Sequence, residues 1–209
     1  PAEGGEARDL TPGDFDAPPF SLGGPDAFAF SPDGRELAYT RGPEKTVEAW
    51  STNADLFVVP VPVTRASPAP LCLTPENEGW DGSPVWSPDG RFIAYRSQAR
   101  DGYEADKTRL AIVERATGKV AYLAAEVDRS VDEILWRPEG KAIYFLAEDE
   151  GRTAVFAVPV EGLQQPSPAA KIISGLSIGG LSMPKDSSAL YGEVQSLVRP
   201  SEAARVVLA

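Results

Sequence analysis

The sequence predicts an all-β fold, a β-propeller of about four four-stranded blades. A Ser-Pro-Asp-Gly turn occurs at 31–34 and again at 87–90, a looser copy stands at 137–140, and a degraded copy at 183–186. In all four copies an aromatic residue follows the proline by seven positions, and successive prolines are 46 to 56 residues apart. A period of about 40–50 residues built from hairpins is typical of a propeller.

The turn residues explain why each copy is predicted to be a hairpin. Proline at the second turn position has its φ already set, Ser or Asp at the first bonds back to the backbone, and Gly at the fourth tolerates positive φ. Asp186 replaces that Gly in the fourth copy, and Asp is one of the few other residues that adopt this region. Short β-branched and aromatic runs bounded by Gly, Pro, Asp and Ser predict the strands of each unit. The predicted strands are 27–30, 36–40, 55–60, 70–74, 85–86, 92–96, 109–114, 120–123, 134–136, 142–146, 154–159, 171–173, 181–182, 188–192 and 204–208.

The ends of the chain do not complete the predicted repeat. An orphan outer strand at 7–11 precedes the first blade, and the last unit stops after its third strand. Either the N-terminal strand closes a four-bladed ring, or both ends are cuts through a larger ring; Pro1 in place of Met favours a cut. Cut edges would pair with other chains, so edge-mediated self-association is expected. The alternative fold is a β-sandwich with coincidental turns. The predicted blades span about 26–74, 83–123, 132–173 and 179–209.

Composition excludes several classes of partner. The chain has 20 Lys and Arg against 31 Asp and Glu, a net charge of −11, and no basic cluster, so nucleic acid is not an expected partner. No apolar run is long enough to span a membrane. The single cysteine, Cys72, rules out an internal disulfide and leaves the redox compartment open. The cellular location is unknown from the sequence, and an exported or periplasmic one is favoured over a cytoplasmic one.

The chain contains no histidine, which excludes an internal Ser-His-Asp triad and an H-E-x-x-H zinc site. We therefore expect no catalytic residue, no metal site and no cofactor. Residues 175–180 fit the nucleophile-elbow pattern G-x-S-x-G around Ser177. That pattern works only at a sharp strand-to-helix turn with a His base within reach. The segment is instead predicted to be a loop that leads into the last blade.

Loops on one face of the predicted ring are the candidate binding surface. Tyr103 and Glu104 fall in a loop between second and third strands. Asp128 and Arg129 fall in a loop between blades. Carboxylates beside aromatic rings suit a cationic group such as a peptide α-amino terminus. The competing interpretation is an ordinary solvated surface, with Arg129 in a weak ion pair with Asp128 and Asp132. The loops of this face are 12–26, 41–54, 75–83, 97–108, 124–132, 147–153 and 174–180.

Longer stretches of the sequence resemble a known family. The hairpins in which Ser-Pro-Asp-Gly is followed by Leu-Ala-Tyr or Ile-Ala-Tyr resemble the propeller repeats shared by the periplasmic protein TolB and the prolyl oligopeptidase family. Further stretches of this chain resemble the dipeptidyl-peptidase-V and acylaminoacyl-peptidase-like branch of that serine peptidase family. The resemblance covers nearly the whole chain. These further stretches are 9–20, 51–57, 102–106 and 128–133.

The resemblance implies that the blades form a partial, open ring from the C-terminal part of a propeller that usually has seven blades. In this family an α/β-hydrolase domain follows and carries the Ser, Asp and His of the triad, none of which has a counterpart here. The propeller caps the active site, limits access to short peptides and can help hold the substrate's N-terminus. The resemblance therefore implies a peptide substrate, reached by way of the missing hydrolase domain. The candidate substrate-binding residues are Tyr103, Glu104, Asp128 and Arg129.

Three hypotheses for the function remain. The first is the non-catalytic propeller portion of a serine exopeptidase, which gates access and helps select short peptides. The alternative is a TolB-like, non-enzymatic protein-interaction propeller. A third hypothesis, a closed four-bladed ring that acts as a binding module, requires the strand at 7–11 to pair with the one at 204–208.

Overall fold

The computed structural model describes residues 9–17, 27–62, 67–163, 168–186 and 188–206. Within these ranges the chain forms fourteen β-strands and no α-helix, so the all-β class is confirmed. No helix in this part of the chain is long and apolar enough to cross a membrane. The strands are β1 (Phe28–Phe30), β2 (Glu36–Arg41), β3 (Asp55–Pro60), β4 (Leu71–Cys72), β5 (Asp81–Trp86), β6 (Phe92–Ser97), β7 (Arg109–Glu114), β8 (Val120–Leu123), β9 (Val131–Trp136), β10 (Ala142–Asp149), β11 (Arg152–Pro159), β12 (Ala170–Ser182), β13 (Leu190–Ser196) and β14 (Arg199–Val206).

The strands pair as consecutive antiparallel hairpins in three sheets. The first blade is β1-β2-β3-β4 and the second is β5-β6-β7-β8. The remaining strands form one six-stranded sheet from β9 to β14. We call β9 to β12 the third blade and β12 to β14 the fourth blade, because the long β12 pairs with β11 through its first half and with β13 through its second half.

Strand β12 differs from the sequence-based expectation. The interblade loop predicted at 174–180 is strand, and the short strands predicted on either side of it are the two ends of β12. The physical reason is that Gly175 and Gly180 adopt positive φ, 76° and 61°, and the register shifts in this strand let it change partners without a break. Ser177 pairs with Gln195 in mid-strand, so the nucleophile-elbow geometry does not apply to it.

A second loop is also shorter than expected. The loop predicted at 147–153 is a two-residue turn at 150–151, because β10 and β11 each extend to eight residues. Glu150 and Gly151 both have positive φ, which matches the tight turns that connect adjacent antiparallel strands. The third blade therefore ends in a protruding hairpin where the first two blades have long loops.

The glycines of the first three recurring turns have the predicted positive φ. The prediction for the fourth copy is wrong, because Asp186 does not adopt positive φ and its carboxylate instead accepts the Ser188 N–H at 3.1 Å. Ser31 Oγ donates to Asp33 Oδ1 at 2.7 Å and accepts the Glu36 N–H at 2.9 Å. The second copy repeats both bonds with Ser87, Asp89 and Phe92, and the turn glycines have φ of 70° and 71°. In the third copy an ion pair between Arg137 Nε and Glu139 Oε1, 3.1 Å long, stands where the Ser–Asp bond is. In the first two copies the serine hydroxyl thus closes the hairpin from within the motif.

The hydrophobic core lies between neighbouring blades. Ile93, Tyr95 and Val113 of the second blade pack against the first blade, while the opposite face of the same sheet packs against the third. A further cluster joins the third and fourth blades around Leu146 and Leu190. Because the central strands of the first three blades are buried on both faces, they read as nearly continuous apolar runs, whereas β13 and β14 of the fourth blade are largely exposed. The propeller architecture follows from this face-to-face stacking.

The N-terminal segment covers the remaining face of the first blade. Leu10 and Ala17 pack against a buried cluster on that face, and the Arg41 guanidinium lies 4.2 Å from the Phe15 ring and 4.0 Å from the Phe57 ring. The outer strand predicted at 7–11 starts outside the described residues, and its last three residues are not in a strand. Its pairing with 204–208 also involves residues outside the described ranges, so ring closure stays a prediction.

Candidate substrate-binding site

Two neighbouring loops carry the four candidate residues. The loop after β6 spans 98–108 and holds Tyr103 and Glu104. The loop after β8 spans 124–130 and holds Asp128 and Arg129. The loops are joined directly, because the Thr108 N–H donates to Ser130 Oγ at 3.2 Å and Lys107 Nζ donates to the Val127 carbonyl at 3.4 Å. The structure therefore brings the two predicted parts of the site to adjoining positions.

Asp106 closes the first loop upon itself. Its carboxylate accepts hydrogen bonds from Arg100 Nη2 at 2.8 Å, from the Ala99 N–H at 3.0 Å and from the Lys107 N–H at 3.0 Å. The charge-assisted bond from Arg100 is the main reason that the pKa of Asp106 is lowered to about 2. The Asp106 carboxylate is thus ionised near neutral pH, and its hydrogen bonds are made within the loop rather than left open for a ligand.

Tyr103 is half-exposed, but one face of its ring is occupied. The Arg100 guanidinium lies 4.1 Å from the ring centroid, which is a cation–π contact within the loop. A ligand cation would have to use the opposite ring face. Tyr103 is therefore a weaker candidate contact than its exposure alone suggests.

Asp101 joins this loop to the first blade. Its carboxylate accepts the Thr52 N–H at 2.7 Å and the Ser51 hydroxyl at 2.9 Å, and the Gly102 N–H donates to Thr52 Oγ1 at 2.8 Å. Desolvation raises the pKa of Asp101, but these hydrogen bonds outweigh it, and the pKa is lowered overall. The stretch 51–57, singled out in the sequence, includes the residues that hold the candidate loop from the side of the first blade.

The prediction that Arg129 forms an ion pair with Asp128 and Asp132 is wrong, because the charged groups of all three residues have other partners. Arg129 Nη1 donates to the backbone carbonyl of Asp128 at 2.6 Å, while the Asp128 carboxylate lies 3.7 Å from Lys107 Nζ and is 93% exposed. The Asp132 carboxylate instead accepts a 3.0 Å hydrogen bond from Arg96 Nη1. Asp132 pairs with Arg96 rather than with Arg129, because Arg96 extends from β6 next to Asp132, whereas the Arg129 guanidinium is bonded to the backbone of its own loop.

A shallow cleft of about 270 Å³ lies between the two loops, and we call it the Glu104 cleft. Of the four candidates only Glu104 lines it; Tyr103, Asp128 and Arg129 lie outside its lining. The Glu104 carboxylate is exposed, and it makes no hydrogen bond or ion pair with any part of the chain that the structure describes. The cleft is lined by Trp80, Arg96, Gln98, Glu104, Ala105, Asp106, Thr108 and Ser130.

Arg96 is a cleft residue that the sequence-based argument missed. Its guanidinium lies 5.3 Å from the ring centroid of the buried Trp80. The sequence does contain a signal that could have identified Arg96. Arg96 directly follows the recurring aromatic of the second blade, and the equivalent residues are Thr40 in the first blade and Leu146 in the third, so Arg96 is the charged exception. With Glu104, Arg96 gives the cleft one free carboxylate and one partly neutralised guanidinium.

A buried carboxylate adjoins the cleft. Asp81 is fully buried and accepts a hydrogen bond from Asn77 Nδ2 at 2.9 Å. Burial raises its pKa to about 7, although hydrogen bonds from Ser97 and Thr74 oppose the shift. Among the described residues, no three Cys, His, Asp or Glu side chains are grouped so that they could hold a metal ion.

A larger cavity, of about 780 Å³, lies at the other end of the chain's sheets. It is bounded by β12 and by the β13–β14 hairpin, and its lining includes Ser177 and Arg152. The Arg152 guanidinium donates to the Gly175 carbonyl. Since the chain has no histidine to act as a base for Ser177, the volume of this cavity does not make it a better candidate than the cleft.

Comparison with known proteins relates the chain to dipeptidyl-peptidases. A dipeptidyl-peptidase 5 of Porphyromonas gingivalis is 36% identical over 157 residues, which are 74% of this chain and 22% of that relative. The chain spans about a fifth of the length of the curated relatives it matches. No family model matches the chain.

Solved structures share the fold. An acylaminoacyl peptidase in complex with Z-Gly-Gly-Phe-chloromethyl ketone matches with a TM-score of 0.63 and 15% identity, over 86% of this chain and 25% of that chain. TolB from Acinetobacter baumannii matches with a TM-score of 0.62 and 14% identity, over 87% of this chain and 40% of that chain. At these identities the likeness concerns the fold alone.

Proposed function

This chain belongs to the propeller portion of the prolyl oligopeptidase family of serine peptidases, and on that premise we propose that it gates access to an active site and helps select short peptides. The parent protein would be an exopeptidase of the dipeptidyl- or acylaminoacyl-peptidase type. The reacting groups would lie elsewhere in the parent polypeptide, because this chain has no histidine for a triad. Its own contribution is binding and orientation of the substrate.

The free carboxylate of Glu104 is the observation that carries the proposal. The neighbouring Asp106 is neutralised by Arg100, whereas Glu104, which lines the cleft, has no cation partner among the described residues. A peptide α-amino group is a compact cation with three donors, and a charge-assisted hydrogen bond to it contributes about 1.5–3 kcal/mol. Tyr103, Asp128 and Arg129 would contact the parts of the peptide that extend beyond the cleft.

The net charge of −11 also favours binding of a cationic ligand. A surface with excess carboxylates raises the local concentration of cationic ligands and repels anionic ones, and salt weakens both effects. Short peptides with a free amino terminus would be favoured over peptides whose terminus is blocked. Selection of this kind requires only the loops, not a catalytic group.

The test is calorimetric titration of the chain with a tripeptide, Ala-Ala-Phe, and with its N-acetylated form. We expect the free peptide to bind more tightly, neither peptide to be hydrolysed, and the difference to disappear in Glu104→Gln. Glu202→Gln is the matched control, since Glu202 is an exposed carboxylate remote from the cleft. Equal or tighter binding of the acetylated peptide, or an unchanged preference in Glu104→Gln, would contradict the amine contact.

A second candidate function is a TolB-like propeller that binds a protein partner and takes no part in catalysis. The observation that favours it is the fold likeness to TolB, which is as close as the likeness to the peptidase. The coding sequence that follows codon 209 separates the two. A segment with a His-Gly-Gly motif and a true nucleophile elbow supports the peptidase, and a reading frame that ends without one supports the TolB-like function.

A further inference from the structure

We infer that Gln98 is a positioning residue that holds the Glu104 loop in place over the cleft. The inference rests on the proposed function only for the use of Glu104 in binding. The placement of the loop itself is a separate, measurable property of the chain.

Gln98, directly after β6, makes four hydrogen bonds through three polar groups. Its backbone N–H donates to the Trp80 carbonyl at 2.7 Å, and its own carbonyl accepts from Asn77 Nδ2 at 2.9 Å. Its side-chain Nε2 donates to the carbonyls of Glu104 and Asp106, each at 2.9 Å. Gln98 is only 5% exposed, so these bonds are shielded from water and costly to lose. One buried residue therefore joins the loop, the strand and the interblade segment.

The other bonds of the loop do not duplicate this role. Asp106 bonds to Ala99, Arg100 and Lys107, and these contacts stay inside the loop. Asp101 holds the loop from the side of the first blade. Gln98 is the first residue of the loop, and its side chain supplies the two bonds that reach across the loop to the Glu104 and Asp106 carbonyls. Its backbone bonds to Trp80 and Asn77 attach it to the interblade segment. Without the two side-chain bonds, the loop would keep its bonds to the 124–130 loop and to the first blade, but the segment that carries Glu104 would no longer be bonded to the Gln98 side chain.

Gly79 makes the arrangement possible. A Cβ atom at this position would lie 2.4 Å from the Gln98 carbonyl oxygen and 2.7 Å from the carbonyl carbon, distances that side chains do not adopt. The backbone of the interblade segment at Gly79 thus packs directly against the backbone of Gln98. Any side chain at position 79 must displace Gln98, and with it the loop that carries Glu104.

The experiment is hydrogen exchange on the whole chain, with Gln98→Met as the variant and Gln195→Met as the matched control on an exposed strand position. Methionine keeps the length of the side chain but has no N–H to donate. We expect exchange at the amides of Ala99, Asp106 and Lys107 to become about tenfold faster or more, because one or two net hydrogen bonds of the loop are lost. Exchange at the amides of Ile93 and Ile112, in the strands of the same blade, should stay unchanged.

A second pair of variants tests the same inference without touching Gln98. Gly79→Ala should accelerate exchange in the same loop, whereas Gly179→Ala, where an added Cβ meets nothing within 4 Å, should not. Unchanged loop exchange in both Gln98→Met and Gly79→Ala would overturn the inference. So would a loss of protection spread evenly over the strands, since that would indicate a general structural role.

Peptide binding by the same variants separates this inference from the proposed function. Gln98→Met leaves the Glu104 side chain intact, yet we expect it to weaken binding of the free tripeptide about fivefold or more. If the unaltered chain binds no peptide, the proposed function fails while the exchange result still decides the role of Gln98. If the peptide binds and Gln98→Met changes loop exchange but not affinity, the positioning role is contradicted.

Discussion

The indole Nε1 of Trp86 donates a 3.1 Å hydrogen bond to the backbone carbonyl of Ala29 in the preceding blade. Trp136 repeats the bond one blade further on, with a 3.0 Å contact to the Val85 carbonyl. Each tryptophan ends the first strand of its blade, and each acceptor precedes the equivalent aromatic of the blade before it. The sequence repeat is thus also a repeat of contacts between blades, which sets how one sheet is placed on the next. Phe30, the first aromatic of the series, has no such donor and is 54% exposed.

Replacement of Trp136 by Phe should destabilise the chain by about 1–3 kcal/mol. The ring is largely kept, but the Val85 carbonyl loses its partner at a buried interface. Urea denaturation monitored by circular dichroism measures the change in the free energy of unfolding. Trp50→Phe is the control, because Trp50 is 85% exposed and its replacement should cost less than about 0.5 kcal/mol. Equal effects of the two replacements would contradict a role for the interblade bond.

The blades could be predicted because their signals are local. Pro32, Gly34 and the strands around them lie within a few residues of one another, and turn chemistry and strand propensity act over that distance. The same locality explains the error at β12. The sequence pattern predicts that Gly175 and Gly180 lie in a loop, whereas in the sheet their positive φ permits bulges inside a continuous strand.

The site was less accessible from the sequence, because its geometry depends on contacts between distant residues. Composition and loop position were enough to select Glu104, which does line the cleft. They could not reveal that Arg100 occupies one face of Tyr103, or that Arg96 captures Asp132. Both contacts depend on which side chains lie close together in the folded chain, and the sequence does not show this.

Removal of the turn hydroxyl in Ser87→Ala should cost about 1–3 kcal/mol of stability. Ser87 Oγ accepts the N–H of the buried Phe92 and donates to Asp89, so the substitution leaves a buried donor without a partner. Chemical denaturation of the variant gives the value. Ser201→Ala, at an exposed strand position, should change stability by less than about 0.5 kcal/mol. A smaller loss in Ser87→Ala than in this control would show that the turn does not depend on its hydroxyl.

Self-association of the chain is expected through the edge of β14. Among the described residues this strand pairs with β13 alone, and an edge strand of this kind can pair with a second chain. Ala203→Lys places a charge on the edge strand and should reduce concentration-dependent association in sedimentation velocity. Ala116→Lys, at an exposed turn, should leave association as it is. A chain that stays monomeric at high concentration would contradict the expectation.

The pH dependence of stability should include a contribution from Asp81 that falls as pH rises. Its pKa is about 7 in the folded chain, because burial disfavours the charged form, against about 4 in the unfolded chain. The folded state therefore binds the proton more tightly, and stability is lost progressively between about pH 4 and pH 7. Above pH 7 the full cost of the buried charge remains, roughly 4 kcal/mol.

Asp81→Asn isolates this contribution, because an amide cannot ionise. We expect the variant to be more stable than the unaltered chain at pH 8, and to show no such gain at pH 4, where the acid is protonated in the folded state. The neighbouring Asp55 and Arg109 are present in both proteins, so the difference between the two curves reports the titration of Asp81 together with its electrostatic coupling to these two groups. Asp128→Asn, at a carboxylate that is 93% exposed, is the control and should give nearly parallel curves. A variant that is less stable than the unaltered chain at pH 8 would mean that hydrogen bonds stabilise the ionised Asp81 by more than its burial costs, which would contradict the expected destabilisation.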